Sequence, residues 1–297
     1  MKALIRGEGL KLTNMPIPPA RDFEVIAKVL AASYSHIDKA ADLGLIPYYY
    51  GVIAGSIGLI RVIEPDLERK TKEGELYLTL PSCGEEIHGI TAHGFLSEYC
   101  KVNRECLIKV PQKVAISDDL MLAFELSYLS SLDEIISDLS DILIVGCNID
   151  AYITVKYLES RYNLKVLCVD GNLRDHIASL GPEMINIEKI KGFYDALIVT
   201  STTPLITHPK LLSCLRERGK LIIPPTQPPL YISLWYIRRS LSIIIPRLKL
   251  SNTVLDLIKA IPKTLKRVTI AITNELEFIG SLSKRYERVM YLATKAR

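Results

Sequence analysis

The chain lacks any uninterrupted apolar stretch of the roughly 18 residues that a membrane helix needs. Its most apolar region, Leu221 to Ile245, is broken by Pro224, Pro225, Pro228 and Pro229 and by Arg238-Arg239. The N-terminus, Met1-Lys-Ala-Leu-Ile-Arg-Gly7, reads as a strand and lacks the apolar core of a signal peptide, so the cytoplasm is the expected compartment. None of the six cysteines forms a C-x-x-C pair. In a chain of this size and compartment, a disulfide framework is not expected. Cys147 and Cys168, on or beside apolar strands, read as small buried side chains. No internal repeat and no low-complexity segment breaks the sequence. A strong net charge is also missing, since the formal balance is +4. The charge is uneven, with 11 Lys and Arg against 4 Asp and Glu from Pro246 onward. That basic stretch lacks aromatic interleaving of the kind that stacks bases, so it reads as a solvated face and nucleic-acid binding is not expected.

The 297 residues, 48% hydrophobic and 24% charged, are ordinary for a folded soluble protein of two domains or one large one. Strands are expected at Lys2–Arg6, Glu24–Leu30, Ile53–Ile63, His93–Val102 and Leu107–Pro111, where apolar and polar residues alternate or branched residues cluster. From Ser117, a plausible N-cap, the period changes, and one helix is expected over Asp118–Leu132. Strands at 142–146, 165–169, 195–200, 220–223 and 241–245 then alternate with helical segments, which argues for a doubly wound parallel sheet. Residues 251–261 and 275–293 read as helices.

Within the second half, Ile142-Leu-Ile-Val-Gly146 leads into a helical pattern, and Val166-Leu-Cys-Val-Asp170 follows. This is the outline of a strand–turn–helix–strand unit for a dinucleotide, with Gly146 making the tight turn and Asp170 placed for a ribose hydroxyl. Asp170 favours NAD over NADP, although Arg174 is a counter-signal for a 2′-phosphate. The fingerprint's second glycine is replaced by Asn148 and its third by Ala151. Asn148 tolerates the turn's backbone angles, but its side chain takes space that a pyrophosphate needs. Asp150 sets a negative charge where phosphate would arrive, unless it points to solvent. The cofactor-binding candidates are Gly146, Asn148, Ile149, Asp170 and Thr200.

In order along the chain, these features resemble the medium-chain dehydrogenase/reductase superfamily, which includes the zinc alcohol dehydrogenases and quinone reductases. Met1-Lys-Ala-Leu4 and Glu24-Val-Ile-Ala-Lys-Val-Leu-Ala-Ala32 look like its opening strands. His93-Gly-Phe-Leu-Ser-Glu-Tyr99, followed by Leu107-Ile-Lys-Val-Pro111, looks like its Gly-x-Phe-Ala-Glu-Tyr and Lys-Leu-Pro passages. Val145-Gly146, Asp170, Gly181, Asp195-Ala-Leu-Ile-Val-Thr200 and Arg218-Gly-Lys-Leu-Ile-Ile223 follow in the order of its nucleotide domain. The resemblance implies an α/β fold. A mostly β GroES-like catalytic-type domain would cover 1–117, with 249–297 returning to it. A Rossmann-type domain would cover 118–248. It also implies a homo-oligomer, dimer or tetramer, with Leu241-Ser-Ile-Ile-Ile245 as a candidate edge.

The resemblance fails at the metal. Ser35 stands where the family has its first zinc cysteine, and Ile53-Ala54-Gly55 where it has Gly-His-Glu. Glu125 matches an acidic third ligand. One ligand of three does not hold zinc. Pro81-Ser-Cys-Gly84 matches only the first corner of the structural zinc lobe, so neither zinc is expected. His88 and His93, with Cys83 nearby, fit no common zinc spacing. The candidate catalytic residues are Ser35, His36, Asp38, Tyr49 and Glu125. His36 is an acid/base candidate or a polar hydrogen-bonding residue. Asp38 orients a site or caps a helix, and Tyr49 lies in a Tyr48-Tyr-Tyr50 run that donates a proton or lines a surface. The implied function is zinc-independent, NAD(P)-dependent hydride transfer to or from a small carbonyl, alcohol or conjugated alkene. The alternative is a degenerate, non-catalytic structural or regulatory subunit with weak cofactor binding or none.

Overall fold

In a computed structural model of the protein, the described residues are 1–111, 118–169, 173–190, 192–201, 208–227, 240–249, 252–259, 269–272 and 288–292. The chain forms two compact units, Met1–Leu122 with Lys266–Arg297, and Ala123–Leu265.

The first unit is built on strands. β1 (Lys2–Gly7) and β2 (Gly9–Asn14) form an antiparallel hairpin. β3 (Glu24–Tyr34) leads into α1 (His36–Asp42). β4 (Ile57–Glu64), β5 (Leu76–Thr79), the short β6 (Ser82–Cys83) and β7 (Glu86–Ile87), β8 (Tyr99–Asn103) and β9 (Leu107–Lys109) follow. β3 is the centre of the main sheet. It pairs antiparallel with β4 and β8, and β4, β5 and β9 continue the sheet on one side. Val25, Ala27, Val29 and Ile60 pack with Phe95 and Val102 in the core beneath it. β2 and β5 are short strands not expected from the sequence. The His93 passage becomes strand only at Tyr99.

The second unit alternates. α2 (Asp118–Glu125), which straddles the boundary at Leu122, and α3 (Leu129–Ile136) replace the single expected helix over Asp118–Leu132. The break falls at Leu126–Tyr128, where Ser127 N–H and Leu129 N–H make three-residue turns to Phe124 and Leu126. β10 (Asp141–Val145), α4 (Ile149–Leu158), β11 (Asn163–Leu167), α5 (Arg174–Ala178), β12 (Glu183–Ile185), β13 (Tyr194–Val199), α6 (Pro209–Ser213), β14 (Leu215–Ile222), β15 (Leu241–Ile244) and α7 (Asn252–Lys259) complete it. The strands form one six-stranded sheet in the order β12-β11-β10-β13-β14-β15, and every pairing is parallel. Leu143, Val145, Leu197, Val199 and Leu221 are fully or almost fully buried, as near-continuous apolar strands require. α7 packs on α3 and α4. Ser117 lies outside the described residues.

The chain then returns to the first sheet. β16 (Thr269–Ile272) pairs parallel with β17 (Arg288–Leu292), and β17 pairs antiparallel with β3 at Ala31–Tyr34. This overturns the helix expected over 275–293 as far as Arg288–Leu292 is concerned. The flanking charges suggested a helix, but the open edge of β3 selects a strand.

Cys83 and Cys106 form a disulfide with Cα atoms 5.6 Å apart, and Cys147 and Cys168 form another at 5.0 Å. The expectation of free cysteines is therefore wrong at four positions. Compartment and chain size argued against bridges, but the fold brings each pair within bonding reach. Cys83–Cys106 closes a loop with a sequence separation of 23, for which chain entropy gives about 3 kcal/mol. Replacing both with serine is expected to lower unfolding stability by that amount under oxidising conditions. Urea unfolding with and without a dithiol measures it, and a loss under about 1 kcal/mol would mean that the bridge is not formed in solution.

Candidate functional site

The first region lies at the start of α1. Ser35 is the N-cap, and its hydroxyl accepts from Ile37 N–H. Asp38, at the third position of the helix, accepts from Ser35 N–H at 3.0 Å, completing a capping box. Asp38 does more than cap. Its Oδ1 accepts Gly55 N–H at 2.8 Å, and its Oδ2 accepts Ser56 N–H at 3.2 Å. Arg6 Nη2 donates to Oδ1 at 2.5 Å, with both side chains buried. Arg6 Nε donates to Gly89 O at 2.6 Å, and Nη1 donates to Asp42, which also accepts from Tyr34 hydroxyl. The guanidinium lies over the Tyr48 ring, 5.7 Å from its centroid. Burial works against the Arg6 charge, but Asp38 and then Asp42 outweigh it and hold its pKa above the ordinary value. One buried cation thus ties β1, α1 and the loops at Gly55 and Gly89 together.

The positions of the resembled family's first two zinc ligands carry no suitable donors. Ser35 Oγ is 2.6 Å from Ser56 Oγ, so each hydroxyl is occupied by the other. Ala54 presents a fully buried methyl, and Gly55 presents no side chain. A guanidinium stands one carboxylate away from Ser35. Two hydroxyls, a methyl and a neighbouring cation do not fit zinc.

The other catalytic candidates separate. His36 is buried as the first residue of α1, next to Ser35. Tyr49 is 64% exposed, so its ring is on the surface of the first unit. Glu125 is fully buried at the end of α2. The structure therefore brings Ser35 and Asp38 together with Arg6 and Ser56, two residues that belong to no sequence motif.

His88 and His93 line a cavity of about 360 Å³ with Glu24, Glu86, Lys101 and the Cys83–Cys106 bridge. His88 Nδ1 donates to His93 O at 3.2 Å, and His93 Nδ1 accepts from Ile53 N–H at 3.1 Å. Burial pushes the pKa of both imidazoles down. Among the described residues, no three His, Cys, Asp or Glu side chains converge to hold a metal.

The second region is the turn after β10. Counted from β10, the sheet order is 3-2-1-4-5-6, the order of a dinucleotide-binding sheet. Its switch point lies between β10 and β13, where the strand ends deliver Gly146 and Thr200. Gly146 has φ +135°, and an added Cβ would lie 2.4 Å from Thr200 Oγ1. Only glycine fits this turn. Thr200 hydroxyl donates back to Val145 O at 2.9 Å.

Asn148 fills the turn with its own side chain. It is the N-cap of α4, and its Oδ1 accepts Ala151 N–H at 2.9 Å. Its Nδ2 donates to Thr200 O, as does Gln227 Nε2 at 3.3 Å. Ile149 opens the helix and is buried. Asp150 is fully buried, with Gln227 Nε2 at 3.5 Å from its Oδ2. The reading that Asp150 points to solvent is therefore wrong. The turn has drawn it in behind Asn148. Asp170 lies outside the described residues.

No protein-family model matches the sequence, and no curated protein matches it. Solved structures do match over almost the whole chain. The glucose dehydrogenase of Haloferax mediterranei, in complex with NADP, Zn and gluconolactone, superposes with TM-score 0.73 at 14% identity, over 99% of this chain and 100% of that one. An alcohol dehydrogenase from E. coli CFT073 complexed with NADH gives 0.69 at 18% identity, over 98% and 99%. Acetophenone reductase from Geotrichum candidum in complex with NAD gives 0.69 at 18% identity, over 98% and 96%. The chain has the fold of the medium-chain dehydrogenases and reductases: a Rossmann-type parallel-sheet unit and a mostly antiparallel GroES-like unit in one α/β chain.

Proposed function

We propose that the protein is a zinc-independent oxidoreductase that uses a nicotinamide dinucleotide, NAD or NADP, on a carbonyl, alcohol or conjugated alkene. The observation that carries this reading is the glycine turn at the switch point, where Gly146 and Thr200 meet at the carboxyl ends of β10 and β13. Gly146, Ile149 and Thr200 would border the dinucleotide. When bound, the nicotinamide ring supplies or accepts the hydride. Fold neighbours solved with NADP, NADH and NAD support a nicotinamide dinucleotide as the ligand. Zinc independence rests on the donor set at Ser35, Ala54 and Gly55. Asp38 serves as a positioning residue, since its carboxylate is occupied by Arg6 and backbone donors. The reading includes a cytoplasmic homo-oligomer. Among the described residues β15 is the last strand of the parallel sheet, with Ile243 half exposed, and supplies an edge for pairing.

Asn148 favours a second reading, a non-catalytic subunit, because its amide occupies the turn on both sides. Titrating NADH and NADPH calorimetrically, alongside metal analysis of protein purified without added metal, separates the two. Saturable NADH binding without zinc supports the first. No binding of either nucleotide at millimolar concentration eliminates it in favour of the second, and near-stoichiometric zinc would sink the metal-free assignment.

A further inference from the structure

The Cys147–Cys168 bridge joins the residue after Gly146 to the residue after β11. It therefore fastens the turn itself to the neighbouring strand end, beside the backbone bonds Gly146 N–H to Leu167 O and Leu173 N–H to Cys147 O. We propose that this disulfide is a thiol-exchange site that sets the conformation of the turn: closed when oxidised, open when reduced by a dithiol of the thioredoxin class. The bridged form is the one in which Asn148 spans from Ala151 N–H to Thr200 O. Cys147, Asn148, Ile149, Asp150 and Ala151 are all nearly or fully buried there, so the turn has no slack. Reduction puts two S–H groups where one bond stood, against a Cys147 that is fully buried. A packed turn accommodates that only by shifting.

Access and charge set the direction of attack. Cys147 is fully buried, whereas Cys168 is partly exposed. The reductant's thiolate attacks Cys168 Sγ, and Cys147 Sγ leaves as a thiolate. The start of α4 lies next to it and favours the negative charge. The reductant's second thiol then resolves the mixed disulfide. The protein gains two electrons and two protons, and the dithiol becomes a disulfide.

The consequence for dinucleotide binding rests on the function proposed above, so the test reads the turn separately. In air-oxidised full-length protein, peptide mapping is expected to find Cys147 linked to Cys168, and a dithiol to open the link. Amide exchange over residues 146–151 is expected to quicken at least about tenfold on reduction. The Cys83→Ser/Cys106→Ser variant should respond in the same way, and the Cys147→Ser/Cys168→Ser variant should ignore the dithiol. NADH affinity is expected to rise about tenfold in the same step. Absence of the linked peptide, or unchanged exchange after mapping shows the bond open, overturns the proposal. If exchange responds but NADH binds in neither state, the redox site stands and the dinucleotide reading falls.

Discussion

Arg6→Ala is expected to destabilise the first unit by about 3–5 kcal/mol, the range for removing one partner of a buried ion pair. Asp38 is fully buried, and a buried carboxylate is costly unless strong donors surround it. It keeps the N–H groups of Ser35, Gly55 and Ser56 but loses its only cationic partner among the described residues. Gly89 O also loses its bond from Arg6 Nε. Asp42 suffers less, since its side chain is 32% exposed and water can replace the guanidinium. The comparison that isolates the pair is Arg6→Met alone, Asp38→Asn alone and the two together, each followed by urea unfolding. The double variant is expected to be more stable than the sum of the two single losses, because no unpaired charge remains buried. A loss below about 1 kcal/mol for Arg6→Ala would place the pair with ordinary surface ion pairs. It would also remove the basis for treating Asp38 as the anchor of the Gly55 loop.

That cluster could not have been read from the sequence. Arg6 ends a strand like many exposed arginines, and its partners lie 32 and 36 positions away. Asp38 was legible as a capping acid because the cap is local, with Ser35 three residues before it. Its bonds to Gly55, Ser56 and Arg6 depend on the fold. The same division runs through the rest of the chain. β10, β11, β13 and β14 were legible because buried parallel strands are short runs of branched residues. Their parallel pairing followed from the alternation with helices. β17 was misread because its strand conformation depends on an edge of β3 more than 250 residues earlier. The disulfides were missed because separations of 21 and 23 carry no local pattern. Gly146 was legible as a turn glycine. The burial of Asp150 was not, because Gln227 approaches it from 77 positions away.

Asn148→Gly is expected to raise NADH affinity by about ten- to a hundredfold. In the native turn, the Asn148 amide satisfies Ala151 N–H and Thr200 O. A dinucleotide phosphate must displace the first of these bonds to use the start of α4. Glycine removes the competitor and leaves space where the pyrophosphate approaches the backbone. A phosphate oxygen on a helix-start N–H forms a charge-assisted bond worth about 1.5–3 kcal/mol, which is the source of the expected range. The cost to the fold is small. Glycine is itself an acceptable N-cap, a few tenths of a kcal/mol below Asn, and the bond to Thr200 O adds about 1 kcal/mol. A drop in stability without a gain in affinity would show that the Asn148 side chain is not what limits binding. The buried carboxylate of Asp150 would then be the remaining barrier, and Asp150→Asn in the glycine background tests it directly. If neither change brings NADH binding within millimolar reach, the turn is a structural remnant and the non-catalytic reading holds.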